Sequence, residues 1–411
     1  MVNLANLLTL RYDPESGNSG ALRNIMSEGI LYSRRTTPYS PTSEEIETAI
    51  RNEIRNKINS IGVERVTLAI SAGIDSNLIL CLVRKEFPDI KLDCLTVRFD
   101  SENEDSSEVL IAKKIAEYHD AGFYEIYIEN PLKDLPLLIS IVKEPRWNVY
   151  QYYFIEKAST ISNVLFTGDG GDELFGGYTF RYRRFIENLP STNSWIERAR
   201  LYLTCHERDW VPDQDSMFGP SVKFDWASIY RILRIYFDND LEPLEQVLLA
   251  DYHGKLMYDF VPTNQKYFTH FGINGMAPLL SDKVIMLSER IPINLKYDYG
   301  TNVGKIQLRE ILRRNASVNI SQLIEDRKMG FSIDLPKFWI SFGKEMVTMN
   351  LEKARIFEDK IINKDWYFKS MRRIEADRFN VRDISKMLQL LSLEIWYKLF
   401  VTSEITPRFS L

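Results

Sequence analysis

Cysteine is scarce in this 411-residue chain: Cys81, Cys94 and Cys205 are the whole complement. They stand far apart and form no CxxC pair, which argues against a disulfide framework, a cysteine zinc site or a redox dithiol. A reducing cytoplasm is the simplest expected location. Long apolar runs are missing as well. No stretch approaches the roughly 18 consecutive apolar residues that span a bilayer, and MVNLANLLTLRYD has neither the cationic start nor the apolar length of a signal peptide. No membrane association is expected. Positive charge is not in excess, since 52 Lys and Arg face 57 Asp and Glu for a net charge of −5, so no global basic field points to nucleic acid. The four histidines, His119, His206, His253 and His270, form no close metal-ligand pair; His206 and His253 are expected at the surface. No internal repeat or low-complexity tract is present.

What the chain does have is alternation. Residues 12–42 are rich in Gly, Ser, Asn, Pro and Thr, and 1–42 read as an N-terminal extension. Thr42 and Glu45 then have capping-box spacing, and Ile46, Ile50, Ile54 and Ile58 recur every fourth residue, predicting a helix that ends near Gly62. From Val66 onward VTLAIS, KLDCLTVRF, FYEIYIE and NVLFTG read as strands separated by helical stretches. Such alternation implies an α/β fold, a mostly parallel sheet with helices on both faces, in a domain spanning 43–190. Beyond 190 the strand signal fades, and 191–411 is expected to be a mainly helical region packed on that domain and completing the substrate pocket. Parallel sheets bind ligands at the carboxyl ends of their strands. Two glycine-bearing loops fall there, at 71–76 and 168–177.

The first loop, LAISAGIDSN, turns from strand to helix through Ser71, Gly73, Asp75 and Ser76. Backbone N–H groups and the positive end of the helix dipole make such a turn an anion site. Asp75 would repel phosphate unless a divalent cation lies between them, so the loop implies Mg²⁺ together with a nucleotide. It matches neither GxxxxGK[ST] nor GxGxxG. The second loop, TGDGGDELFGGY, places Asp169, Asp172 and Glu173 among five glycines, a costly grouping that metal binding would offset.

With both loops in view, the chain resembles a known family. SAGIDS is similar to the pyrophosphate loop of the N-type ATP pyrophosphatases, whose fold is adenine nucleotide α-hydrolase-like. GDGGDELFGGY resembles the second signature of the glutamine-dependent asparagine synthetases and their relatives, the β-lactam synthetases and lasso-peptide cyclases. LTVRFD, Glu144-Pro145, KIQLREIL, DRKMGFSIDLPKFW and LEIWYKLF follow in the family order over about residues 45–400. The resemblance implies that ATP is cleaved to AMP and pyrophosphate to activate a small-molecule carboxylate, which ammonia or an amine then captures as an amide. It assigns pyrophosphate binding to Ser71, Gly73, Asp75 and Ser76, Mg²⁺ to Asp75 and Asp172, and the adenosine surroundings to Leu68, Val97 and Gly168. Lys328 matches the lysine that stabilises charge near the α-phosphate. Lys305 and Arg309 match a KxxLR helix in which a supporting and a direct role stand equal. Asp169 occupies a position facing the activated substrate and is a candidate proton acceptor, and Glu173 a loop anchor.

The resemblance also has gaps. A glutaminase domain would need roughly 200 residues opening on a cysteine after the initiator methionine, whereas Val2 stands there and only about 60 residues precede the first loop. Nitrogen is therefore expected from free ammonia, a separate glutaminase subunit or an amine. The family's ExRxPFLD is replaced by Asn274, Gly275, Met276, Ala277, Pro278, Leu279, Leu280 and Ser281, which removes an arginine and its acidic neighbours and points to a larger or less polar acceptor than aspartate. Aspartate, a specialised amide, lactam or peptide product and a homo-oligomeric assembly stay open. A tRNA-modifying branch of the fold is disfavoured by cysteine spacing and net acidity. A non-catalytic nucleotide-binding scaffold predicts eroded charges, yet Asp75, Asp172, Glu173 and Lys328 are present.

Overall fold

The computed structural model describes residues 3–14, 39–99, 107–192, 194–325, 333–409 and 411. Lys328 lies outside the described residues. A short helix, α1 (Leu4–Leu10), precedes α2 (Ser43–Ile61). In α2 both capping-box bonds form, Glu45 N–H donating to Thr42 Oγ1 at 3.3 Å and Thr42 N–H to Glu45 Oε2 at 2.9 Å. Gly62 stops the helix in the left-handed region, at φ 69°. Ile46, Ile50, Ile54 and Ile58 form its buried stripe.

Then come β1 (Arg65–Ala69), α3 (Ile74–Glu86), β2 (Lys91–Phe99), α4 (Ser107–Tyr118), β3 (Gly122–Ile128), α5 (Leu135–Val142), α6 (Gln151–Ser159), β4 (Val164–Phe166) and a short α7 (Gly171–Phe175). The strands are parallel in the order β3-β2-β1-β4-β5. The expected α/β sheet thus forms, with apolar cores on its two faces. One core packs Ile50, Leu78 and Leu82 of α2 and α3, the other Leu138, Ile155 and Leu391. Each core removes several fully buried aliphatic side chains from water, at about 1.5–3 kcal/mol apiece before entropy is counted.

The fifth strand, β5 (Asn274–Met276), comes from the region where strand signal fades, after helix α8 (Val261–Phe271). Its NGM sequence has no β-branched residue, so propensity does not reveal it. Pairing with Val164, Leu165 and Phe166 makes it a strand. Leu68 aligns with Phe166, and Phe166 with Met276, so the carboxyl ends of β1, β4 and β5 lie level. Sheet order reverses between β1 and β4, because β2 and β3 extend one way and β4 and β5 the other. That is a topological switch point, the crevice where open α/β sheets take ligands.

The rest is largely helical, with a third core around Tyr182, Tyr202, Leu233 and Phe237. Two later helices matter below, α9 (Ile306–Asn315) and α10 (Val381–Phe400). His206 is 4% exposed, so the surface expectation fails for it. Asp251 and Arg181 hold its ring in the interior. His253 is also partly buried, packed edge-on to Tyr252. Among the described residues no helix is long and apolar enough to cross a membrane.

Candidate active site

The two glycine-bearing loops meet at the switch point. After β1 the chain turns through Ser71 and Gly73 into α3, whose N-cap Gly73 supplies no side-chain hydrogen bond. The first N–H groups of a 13-residue helix therefore face the crevice without a cap. The turn is held from within. Ser71 Oγ accepts from Gly73 N–H at 3.1 Å, Ser76 Oγ accepts from Ser71 N–H at 3.2 Å, and the two hydroxyls lie 3.3 Å apart. Asn77, fully buried, donates to the carbonyls of Ser71 at 2.9 Å and Gly73 at 2.6 Å. Sequence reading missed Asn77, because an amide one turn inside a helix carries no motif.

The loop after β4 packs directly on this turn. A Cβ on Gly168 would lie 2.9 Å from Ser76 N, and one on Gly171 would overlap the Asp75 carboxylate. A Cβ on Gly177 would overlap Asp172 and Lys305. These glycines are required by close approach, so the glycine-rich spacing records a tertiary contact. The contact brings Asp75 and Asp172 onto one ammonium: Lys305 Nζ lies 2.5 Å from Asp75 Oδ2 and 2.9 Å from Asp172 Oδ1. Lys305 is the N-cap of α9, with positive φ of 57°, and its N–H donates to Phe175 O at 3.0 Å.

Electrostatics at this point are unbalanced. Burial pushes the Asp75 carboxyl up to about 6 against the pull of Lys305, and Asp172 and Asp169 add repulsion. Burial works against the Lys305 charge too, but Asp172 and Asp75 more than offset it and raise its pKa. Burial likewise pushes Glu173 up to about 8, with Asp172 adding to the rise, while the Tyr178 hydroxyl donates to Glu173 Oε1 at 2.6 Å. Asp169 is raised by burial, and Thr167 Oγ1 at 3.0 Å and Asn264 Nδ2 at 2.9 Å both donate to its Oδ2.

Asp75 Oδ1 is buried without a hydrogen-bond partner among the described residues. An orphaned carboxylate oxygen beside a second carboxylate suits a hard divalent cation, which takes oxygen donors. No group of three or more acidic, imidazole or thiol side chains converges among the described residues. Mg²⁺ needs no such cage, since one or two carboxylates with phosphate oxygens and water commonly complete its shell. Lys305 occupies the place between the carboxylates that a cation would share.

The structure thus brings Ser71, Gly73, Asp75, Ser76, Gly168, Asp169, Asp172 and Glu173 together. It separates Leu68 from Val97, whose side chains pack in the cores on opposite faces of the sheet. Both cannot flank one base with their side chains; only the backbone at the strand ends is shared.

The asparagine synthase family model matches residues 50–398. The chain belongs to the asparagine synthase family. It is 21% identical over 406 residues to asparagine synthetase [glutamine-hydrolyzing] 1 of Bacillus subtilis, covering 90% of this chain and 62% of that one. It is 22% identical to a putative asparagine synthetase [glutamine-hydrolyzing] of Mycobacterium tuberculosis, covering 83% and 55%. The human asparagine synthetase [glutamine-hydrolyzing] is 27% identical over 174 residues, 39% of this chain and 31% of that one. The chain therefore spans little more than half the length of the bacterial relatives. Overlap with a solved structure, the U34-tRNA thiolase NcsA of Methanococcus maripaludis with its [4Fe-4S] cluster, is slight: TM-score 0.22 and 16% identity over 71% of this chain and 82% of that one.

Proposed function

We propose that this asparagine synthase family member is an ATP-dependent amide-forming ligase that adenylates a carboxylate, releasing pyrophosphate, and passes the acyl group to ammonia or an amine. The observation that carries this reading is the junction of two loops at the switch point, where the uncapped start of α3 meets Asp75, Asp172 and Lys305. In this reading the α3 N–H groups with Ser71 and Ser76 bind pyrophosphate, and Gly168 gives the adenosine close backbone approach. Asp75 and Asp172 would hold Mg²⁺, which when bound would supply positive charge to neutralise the phosphates. Lys305 fixes both carboxylates and is a positioning residue. Lys328, by its family resemblance, stabilises charge at the α-phosphate. Asp169 faces the acyl group as proton acceptor, and Glu173 anchors the loop through Tyr178.

The test is to follow AMP, pyrophosphate and amide together, with ATP, Mg²⁺, a panel of carboxylates including aspartate, and ammonium or amines. AMP and pyrophosphate in equal amounts with amide are expected. Release of ADP and phosphate would overturn the mechanism. Adding glutamine with and without a separate glutaminase tests the nitrogen source.

A further inference from the structure

A cavity of about 220 Å³ opens beside Asp169, between the ends of β4 and β5, helix α8 and helix α2. Phe166, Met257, Val261, Phe268, Leu280 and Ile285 give it an apolar wall, and Glu53, Lys57, Tyr252 and Gln265 line it as well. It has room for several waters, or one hydrocarbon group the size of a large side chain. Asn264, 5% exposed, donates its Nδ2 to Asp169 Oδ2, and a carboxylate there leaves no choice about which amide atom is nitrogen. Its Oδ1 is therefore an acceptor, buried and without a partner among the described residues. Both bonds to Asp169 fall on Oδ2, and Oδ1 takes neither. Two acceptor-bearing side chains, Asp169 and Asn264, thus line the same pocket. The cation among the lining residues, Lys57, has a side chain 52% exposed and lies 4.0 Å from Glu53.

We propose that this cavity receives a primary amine on an apolar body, the nucleophile of the amide-forming step, with its N–H groups on Asp169 and on Asn264 Oδ1. The assignment rests on the synthetase reading above. A carboxylate head would set its oxygens against those acceptors, whereas an amine satisfies the orphaned one. In the step itself the amine lone pair forms the C–N bond at the acyl carbon. The C–O bond to the phosphate breaks, AMP leaves with that electron pair, and the proton shed by nitrogen passes to the Asp169 carboxylate. Ser281, whose Oγ is also buried without a partner among the described residues, lines the same wall where the family pattern carries an acid.

Titration calorimetry of the full chain with AMP and Mg²⁺, using hexylamine, hexanoate and L-aspartate as probes, tests the assignment. Hexylamine is expected to bind at least about tenfold more tightly than either acid. Val261→Trp, which fills the cavity, and Asn264→Leu, which removes the acceptor, should each weaken hexylamine by at least about tenfold. Asn264→Leu carries the test should Val261→Trp fail to fold. Hexanoate or aspartate binding as tightly as hexylamine, or wild-type hexylamine affinity in a folded variant, overturns the proposal. The two readings fail separately. Hexylamine binding with ADP release sinks the synthetase and keeps the amine pocket, whereas AMP formation with hexanoate displacing hexylamine does the reverse.

Discussion

Two buried charge clusters in this molecule respond to burial in opposite ways. At the sheet edge Asp75, Asp169 and Glu173 are all raised, burial being the largest cause. Away from that edge Glu144, Asp209 and Asp251 are buried as well, yet all are lowered, Asp251 to about 2, because nearby cations outweigh the loss of water. Arg146 lies 2.6 Å from Glu144 and also pairs with Asp259, Arg11 reaches Asp259 at 3.0 Å, Lys266 reaches Glu144 at 2.9 Å, Lys255 pairs with Asp209, and Arg181 lies 3.2 Å from Asp251. In that network four carboxylates meet five cations. At the edge Lys305 reaches two carboxylates, Asp75 and Asp172, and Asp169 and Glu173 lie on the same loop as Asp172. The Glu144–Asp251 network balances its carboxylates with its own cations, whereas the sheet-edge loops hold more negative than positive charge, in keeping with the proposed function.

The largest test of this contrast is Asp75→Asn or Asp172→Asn. Either should lower AMP formation by at least about a thousandfold without lowering the melting temperature at pH 8, because neutralising a carboxyl in the crowded cluster relieves repulsion. Wild-type turnover in either variant would refute the cation role.

Next in size is Arg146→Met in the other cluster. It strips Glu144 of two hydrogen bonds and should cost about 3–5 kcal/mol by urea denaturation. Turnover per folded molecule falling more than stability would erase the distinction between the clusters.

Gly171→Ala sharpens the comparison from the side of shape. Its methyl displaces the Asp75 carboxylate, and a displacement of about 1 Å should slow AMP formation by about a hundredfold. Kinetics and melting measured on the same sample separate that from unfolding.

Legibility of the site followed whether a residue's reason was local. The capping box, the first four strands and the turn from β1 into α3 could be read, because their causes lie within a few residues. The glycines of TGDGGDELFGGY were visible as a motif, though their cause, the Asp75 carboxylate and Lys305 behind them, is more than 90 residues distant in the chain. Lys305 could be placed on its helix but not at the centre of the carboxylates, since only the fold brings residue 305 to residue 75. Asn77 and Asn264 escaped notice because an amide acquires its role from its neighbours. His206 looked peripheral for the same reason.

A last effect concerns pH. Lys386 on α10 is fully buried and donates to the carbonyls of Leu8 and Asp209 and to Gln389. Burial lowers its pKa from 10.5 to about 7. Between those values the unfolded chain binds the extra proton, so stability should rise as pH increases from 7 toward 10. Melting curves of Lys386→Met should lack that rise; an unchanged slope would show that the lysine stays charged in the fold.

The short strand β5 has a consequence for how the molecule is made. Its partner β4 leaves the ribosome more than 100 residues earlier, and at about 5–20 residues per second the outer edge of β4 waits about 5–20 s for its cover. During that interval an apolar strand with unpaired N–H and C=O groups is open to any other extended chain. Newborn copies on neighbouring ribosomes are the nearest such chains, so the yield of active protein depends on what shields three residues, Val164, Leu165 and Phe166, until Asn274 arrives.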